Sequence, residues 1–310
     1  MDATHQILRA DSGDTPGLAD TLLVIHNPTA GVRRLPRLHR AVAAWCAAGL
    51  TVEVRATEHA GHAAELARDA DPGLRAVVAA GGDGTINEVV HGLMARSDGR
   101  PPPLGVLAMG TANVLAHELG LPFRGRPAAA IVVHGRERVI HPGLVGDRPF
   151  LMMVGTGFDA RVVRRVGGGL KRRLGKGAFY LAAAGEVVAG RAPGLAIRVD
   201  GRDTGSAACV IVSRGRYYAG RFLLAPEADL SIPMLNTCLF RVSTRAATVA
   251  YLAALATGRL ARRPGFALVP GREVAIDGPP GEPVQADGEE IGTLPVTIRL
   301  AARPIRVLVP

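Results

Sequence analysis

The sequence predicts an α/β fold in two parts, a parallel sheet with flanking helices followed by an antiparallel β-sandwich. Three observations predict it. In the N-terminal part, short apolar runs alternate with helical patterns, as in a parallel sheet covered on both faces. Three of those runs end in Gly/Asn/Thr turns, placed where ligands of such sheets bind. Near residue 140 the alternation gives way to frequent glycines and short β-branched runs, which read as antiparallel strands. The 310 residues suffice for two ordinary domains. The expected boundaries are a flexible tail over 1–19, an α/β domain over 20–140 and a sandwich domain over 141–310.

Taken in order, Thr21–His26 reads as a strand ending in Asn27-Pro28-Thr29-Ala30-Gly31. Leu35 to Ala48 reads as a helix with Trp45 in the core, stopped by Gly49. Thr51–Arg55 is the next strand, followed by Thr57 and a helix from Gly61 to Ala70. Ala76 to Ala80 is a buried strand that breaks into Gly81-Gly82-Asp83-Gly84-Thr85-Ile86-Asn87-Glu88. Leu104–Ala108 runs into Met109-Gly110-Thr111-Ala112-Asn113, and a helix starts near Val114. The strands expected in the second domain are Pro149–Val154, Ala196–Asp200, Ala207–Ser213, Asn236–Val242, Glu273–Asp277, Val296–Leu300 and Ile305–Val309. Helices are expected over 177–190 and 245–258.

Composition narrows the function classes. The net charge is +10, which favours anionic partners, either phosphates or a lipid surface. Aromatic residues make up 4%, too few to favour single-stranded nucleic acid. Cys46, Cys209 and Cys238 are scattered, so neither a disulfide framework nor a zinc site is expected and a reducing cytoplasm fits. The histidines show no metal spacing. The first twenty residues carry Asp2, Asp11, Asp14 and Asp20 and no apolar core, unlike a signal peptide. The longest apolar stretch, Ala246 to Thr257, is too short to span a bilayer.

The Gly81–Glu88 stretch carries the chemistry. A strand that breaks into glycines and re-emerges as a helix presents backbone N–H groups to an anion. Gly81, Gly82 and Gly84 lack a Cβ, so the chain can turn sharply and approach a phosphate. Asp83 in that turn would repel phosphates unless a cation stands between them, which suggests a nucleotide with Mg²⁺. The stretch matches neither the dinucleotide fingerprint nor a P-loop.

Five blocks in order give the chain a resemblance to a known family. They are Asn27-Pro28-Thr29-Ala30-Gly31, Gly81 to Val89, Gly105 to Asn113, Gly155-Thr156-Gly157-Phe158-Asp159-Ala160 and Gln285-Ala286-Asp287-Gly288-Glu289. Together they resemble the diacylglycerol kinase catalytic family, soluble bacterial lipid kinases related to sphingosine kinases. The resemblance implies a Rossmann-like nucleotide-binding domain, a C-terminal β-sandwich and an active site in the cleft between them. It implies ATP-dependent phosphorylation of a lipid hydroxyl, with a role in phospholipid biosynthesis. Carried over by position, it puts Asn27, Thr57, Gly81, Gly82, Asp83, Gly84, Thr85, Ile86, Asn87, Gly110, Thr111 and Asn113 around ATP. Asp83 then lies near the phosphates and their Mg²⁺. Asp287 and Glu289 lie in the block of the family's general base, Asp287 being the first choice.

Some positions depart from the family pattern. Val114 and Pro142 stand where many members have acidic residues. After Ala225-Pro226-Glu227-Ala228-Asp229 an expected Asp-Gly pair is Ile232-Pro233. That argues against an accessory Mg²⁺ site. The basic run Arg161, Arg164, Arg165, Lys171, Arg172, Arg173 and Lys176 lies among glycine clusters. It reads either as a solvated loop or as a lip that meets anionic headgroups. Tyr217 and Tyr218 could line a lipid cleft or pack a sheet edge. The expected partners are a lipid at the inner membrane face and a possible second copy, with no nucleic acid. The alternatives are phosphorylation of a soluble substrate such as NAD, or a relative that binds lipid or nucleotide without turnover.

Overall fold

The computed structural model describes residues 5–8, 17–28, 35–97, 100–123, 126–174, 176–190, 194–242 and 244–310. Its first elements are β1 (His5–Leu8), β2 (Thr21–His26), α1 (Leu35–Ala47), β3 (Thr51–Ala56), α2 (His62–Arg68), β4 (Ala76–Gly81) and α3 (Asp83–Ala95). Then come β5 (Leu104–Ala108), α4 (Val114–Glu118), α5 (Arg126–His134) and β6 (Arg136–Ile140). The later part begins with β7 (Gly143–Val145), β8 (Arg148–Phe150), β9 (Met153–Gly157), α6 (Phe158–Leu174) and α7 (Lys176–Ala189). It continues with β10 (Leu195–Val199), β11 (Arg202–Ala207), β12 (Cys209–Ser213), β13 (Tyr217–Tyr218), β14 (Phe222–Leu223), β15 (Leu235–Phe240) and α8 (Arg245–Ala256). The last strands are β16 (Phe266–Gly271), β17 (Glu273–Asp277), β18 (Pro283–Ala286), β19 (Glu289–Thr293), β20 (Val296–Leu300) and β21 (Ile305–Val309). Two compact units result: Met1–Ile140 with Arg303–Pro310, and His141–Ala302.

The first unit is built on a sheet of order β1-β3-β2-β4-β5-β21-β6. Strands β3, β2, β4, β5 and β21 run parallel, and β1 and β6 close the edges antiparallel. Strand β4 lies between β2 and β5, and every residue from Ala76 to Gly81 is buried, as expected of a strand covered on both faces. Helix α1 spaces Leu38, Ala41, Val42 and Trp45 on one stripe, and all four are buried. The Trp45 indole N–H donates to the Ala129 carbonyl at 2.9 Å, which locks α1 to α5.

Three expectations are corrected here. His5–Leu8, read as tail, pairs antiparallel with β3. Ile7 and Leu8 stay exposed, so the strand rests on backbone hydrogen bonds that no apolar pattern announces. The tail positions 1–4 and 9–16 lie outside the described residues, as do Thr29, Ala30 and Gly31. Second, Ile305–Val309 does not join the sandwich. It enters the first sheet between β5 and β6, because Ile305, Val307 and Val309 find a core there. Third, the glycine-flanked basic run is helical rather than a loop, Arg161 to Arg173 lying on α6 and Lys176 starting α7.

The second unit stacks two antiparallel sheets, β11-β10-β17-β20-β7-β8 and β16-β15-β12-β9-β18-β19. Val210, Leu239 and Val284 of one sheet share a core with Ile197, Ile276 and Ile298 of the other, which makes it a sandwich. Among the described residues no helix is long and apolar enough to cross a membrane.

Candidate active site

Parallel pairing brings the predicted turns of the first unit to one edge of its sheet. His26 lies opposite Ala56 on β3 and Ala80 on β4, and Gly81 lies opposite Ala108 on β5. Asn27, Thr57, Gly81–Asn87 and Gly110–Asn113 follow those strand ends. The Thr57 N–H donates to the His26 carbonyl at 2.8 Å, and the Met109 N–H donates to the Gly81 carbonyl at 2.7 Å. These bonds tie the strand exits in pairs.

Backbone contact explains the glycine at 110. A Cβ there would lie 2.5 Å from the Gly82 Cα and 2.7 Å from Asn113 Oδ1. Only hydrogen fits between the two turns. Gly82 precedes α3 without a side-chain cap, so the first-turn N–H groups are left for water or a ligand. Asn113 adopts a left-handed backbone, φ 48°, and its Nδ2 donates to the Gly110 carbonyl at 2.9 Å. Its Oδ1 is buried and accepts no hydrogen bond among the described residues.

Asp83 begins α3, yet its carboxylate turns to α4. Oδ1 accepts the Val114 N–H at 2.8 Å. Burial raises the Asp83 pKa, opposed by the N–H groups of Val114, Asn113 and Leu115. The carboxylate therefore links the two turns and would gain from a nearby cation. Ile86, expected beside the nucleotide, is fully buried, and its N–H donates to the Gly82 carbonyl at 3.1 Å. It serves the core, because the helix turns its side chain inward. Thr85 is buried, Asn87 half-buried, and Gly84 and Thr111 exposed.

In the second unit, Asp287 sits in the turn between β18 and β19 with φ 49°. Its carboxylate accepts the N–H groups of Leu151, Met152 and Met153 at 2.7, 2.9 and 2.9 Å. Three backbone bonds fix its position on the strand that leads to the Gly155–Ala160 block. Glu289 is exposed and paired with Arg148 at 2.6 Å. A few residues upstream, Gln285 Oε1 accepts the Gly288 N–H at 2.8 Å, which orients its Nε2 to donate to Asp159 Oδ2 at 2.6 Å. The Tyr218 hydroxyl donates to Asp159 Oδ1. Asp159 is buried, and burial pushes its pKa up against those two hydrogen bonds.

Asp159 and Tyr218 line a largely apolar pocket, partly open to solvent, that Glu186, Thr248 and Tyr251 also line. Phe158, Ile211, Phe240 and Leu255 contribute to its walls. The sequence marked Asp159 only as a motif member. Tyr218 is its partner here and lines the pocket, whereas Tyr217, its neighbour on β13, lies under the Arg216 guanidinium and is not among the lining residues. Behind the wall, Glu186 takes Arg161 at 2.7 Å and Arg165 at 2.8 Å, and Arg161 also reaches Glu282 at 2.9 Å. Arg161 is buried, so it is a strut rather than part of a surface lip. The side chains of Lys171, Arg172, Arg173 and Lys176 lie outside the described residues.

The turn after Ala228 surrounds a guanidinium. Arg214 is fully buried and donates to the carbonyls of His141, Leu230 and Ile232 at 2.7, 2.9 and 2.9 Å, and to that of Met234. Burial lowers its pKa to about 10, and the charge of Asp229 works the other way. A cation of the protein's own thus holds the turn that carries Ile232 and Pro233. Among the histidines, His59 and His62 stack at 4.8 Å, with Glu65 Oε2 3.9 Å from His59 Nε2. The three offer ligand atoms within 4.8 Å of one another, a grouping the sequence reading did not see. The His62 Nδ1 accepts the Glu58 N–H at 3.1 Å, which puts the ring proton on Nε2 and leaves no lone pair there for a metal.

Comparison with known proteins finds relatives for both parts of the chain. Residues 21–145 match the family model of the diacylglycerol kinase catalytic domain, and 152–309 match that of the YegS C-terminal NAD kinase beta sandwich-like domain. The diacylglycerol kinase of Bacillus subtilis (strain 168) is 31% identical over 93% of this chain and 95% of its own length. A Chromohalobacter salexigens protein named "Probable lipid kinase YegS-like" is 37% identical over 52% of this chain, and the match spans 51% of that relative. A solved diacylglycerol kinase structure from Bacillus anthracis str. Sterne superposes with TM-score 0.75 at 21% identity, covering 94% of this chain and 97% of that one. The ordered motifs, the two matching domains and the full-length relative together make this chain a member of the diacylglycerol kinase catalytic family of lipid kinases.

Proposed function

We propose that the protein is an ATP-dependent lipid kinase of the cytoplasm that works at the inner membrane face. ATP is held by the first unit. Its phosphates lie against the uncapped start of α3 and the Gly110–Asn113 turn, and Asn27, Thr57, Thr85, Asn87 and Thr111 stand around them. The orphan Asn113 Oδ1 accepts a nucleoside amino or hydroxyl group. Asp83, with phosphate oxygens and water, suits Mg²⁺, which takes one or two carboxylates alongside substrate phosphates. When bound, that ion offsets the charge of the phosphates.

The pocket of the second unit carries the choice of a lipid substrate. Its walls are mostly apolar, and among the described residues its ionisable carboxyls are those of Asp159 and Glu186. Acyl chains fit the walls and a hydroxyl-bearing headgroup fits the Asp159–Tyr218 end. A soluble substrate such as NAD would leave those walls unmatched. In the reaction the lipid oxygen bonds to the γ-phosphorus, the bond from that phosphorus to the ADP oxygen breaks, and the hydroxyl proton passes to a carboxylate. Asp287 is proposed for that role, with Glu289 second. Phosphoryl transfer rewards position more than base strength, and three N–H bonds hold Asp287 in place.

The test is transfer of labelled γ-phosphate from ATP–Mg²⁺ into extractable lipid, with Asp83→Ala and Asp287→Asn variants. Both are expected to lose about a hundredfold or more in rate while remaining folded. A folded Asp83→Ala protein with full activity removes the role given to Asp83. Absence of labelled lipid with the intact protein defeats the lipid reading, and NAD is then the acceptor to try.

A further inference from the structure

The helices beside the lipid pocket expose apolar side chains where a solvated helix would turn charges out. Helix α8 has no charged residue between Ala246 and Ala256. Its Val249 is 54% exposed and Leu252 37%. On α7, which packs against α8, Leu181 is 63% exposed and Val188 71%. Glu186, the carboxylate of α7, is turned inward onto Arg161 and Arg165. Val242 and Leu252 are exposed and also line the pocket. Val188 follows Val187, another lining residue. The apolar outer face is therefore continuous with the mouth of the pocket.

Its surroundings are cationic. Arg241, Arg245, Arg259, Arg262 and Arg263 are all exposed, and the sequence from 241 to 263 contains no carboxylate. The Arg241 guanidinium donates to the carbonyls of Thr204 and Ser206, which leaves its charge in place. Arg245 reaches the end of α7, where a Cβ on Gly190 would lie 2.7 Å from its Nε.

We propose that the exposed face of α7 and α8 is the surface by which the protein seats on an anionic bilayer. This rests on the lipid-kinase reading and adds to it the face used and the kind of membrane. Apolar side chains enter the boundary between headgroups and acyl chains, and the arginines around them meet anionic headgroups. A lipid then leaves the membrane through the pocket mouth without crossing water. A second copy on the same face fits poorly, because twofold pairing sets the arginines against one another.

Vesicle flotation tests the proposal. The intact protein is expected to float with phosphatidylcholine vesicles that contain phosphatidylglycerol, and less with phosphatidylcholine alone or at raised salt. Val188→Glu with Val249→Glu changes two exposed residues outside the pocket and is expected to weaken flotation by at least about tenfold. Alanine at Arg259, Arg262 and Arg263 should weaken it by up to about fivefold per arginine. Phosphorylation of a dissolved short-chain diacylglycerol should be unchanged in the valine double variant. Flotation of that variant equal to the intact protein overturns the proposal. So does a loss of dimer in the variant with vesicle binding intact, which would assign the face to self-association. If neither protein phosphorylates the dissolved lipid, the kinase reading fails while the flotation result stands by itself.

Discussion

Asp159 is a carboxyl group whose two hydrogen-bond partners come from distant parts of the chain. Tyr218 and Gln285 lie 59 and 126 positions away, so no local pattern could announce the cluster. The glycines at 81, 82 and 110 were legible because a turn that approaches backbone leaves its mark in composition. Burial raises the folded pKa of Asp159 above its ordinary carboxylate value. The folded state therefore holds this proton more tightly than the unfolded chain does. The resulting stabilisation is full in acid, below the ordinary value, and is lost as pH rises from there through the folded pKa. Asp159→Asn keeps the shape and removes the titration. Melting temperatures followed across the acid range should show the native protein losing ground to the variant as pH rises. A difference that stays constant with pH would mean that the Asp159 proton does not contribute. Ile86 shows the opposite limit of sequence reading: it belongs to the glycine-rich motif, but its own side chain points into the core.

At the scale of elements, the central N-terminal strands were readable as short apolar runs, since β2, β4 and β5 are buried almost end to end. Helix α6 was not. Glycine in a helix interior costs about 1 kcal/mol relative to alanine, and Gly167, Gly168 and Gly169 fall inside this one. Arg161 and Arg165 anchor it through Glu186 and Glu282, and such tertiary partners have no signature in the run itself. The edge strand β1 was missed for a related reason, since its residues gain little burial. The closeness of the Gly82 and Gly110 turns yields a sharper prediction. Gly110→Ala drives a methyl group into the Gly82 Cα and Asn113 Oδ1. A cost of about 1–3 kcal/mol is expected, together with weakened ATP binding, measurable by urea unfolding and by nucleotide titration. Unchanged ATP affinity would mean that the contact between the turns does not shape the nucleotide site.

For the whole molecule, the two-part organisation followed from the change of pattern near residue 140, but the return of β21 to the first sheet did not. An apolar strand carries no label for the sheet it will join. Ile305, Val307, Leu308 and Val309 are all buried, and at about 1.5–3 kcal/mol each their burial is worth on the order of 6–12 kcal/mol. That rivals the net stability of an entire domain. Removing residues 303–310 should unfold the first unit and abolish ATP binding, while the sandwich, with a core of its own, keeps its slow amide exchange. Uniform loss of protection across both units would show that they do not fold separately. The same strand also sets an order of events during synthesis. The first unit starts to leave the ribosome before the sandwich and is finished after it. Its β5 edge has no partner until the sandwich has been translated in full. A nascent chain stalled anywhere inside the sandwich therefore carries an open sheet edge, the kind that invites pairing with other chains. Completion of the first unit is thereby coupled to translation of the sandwich.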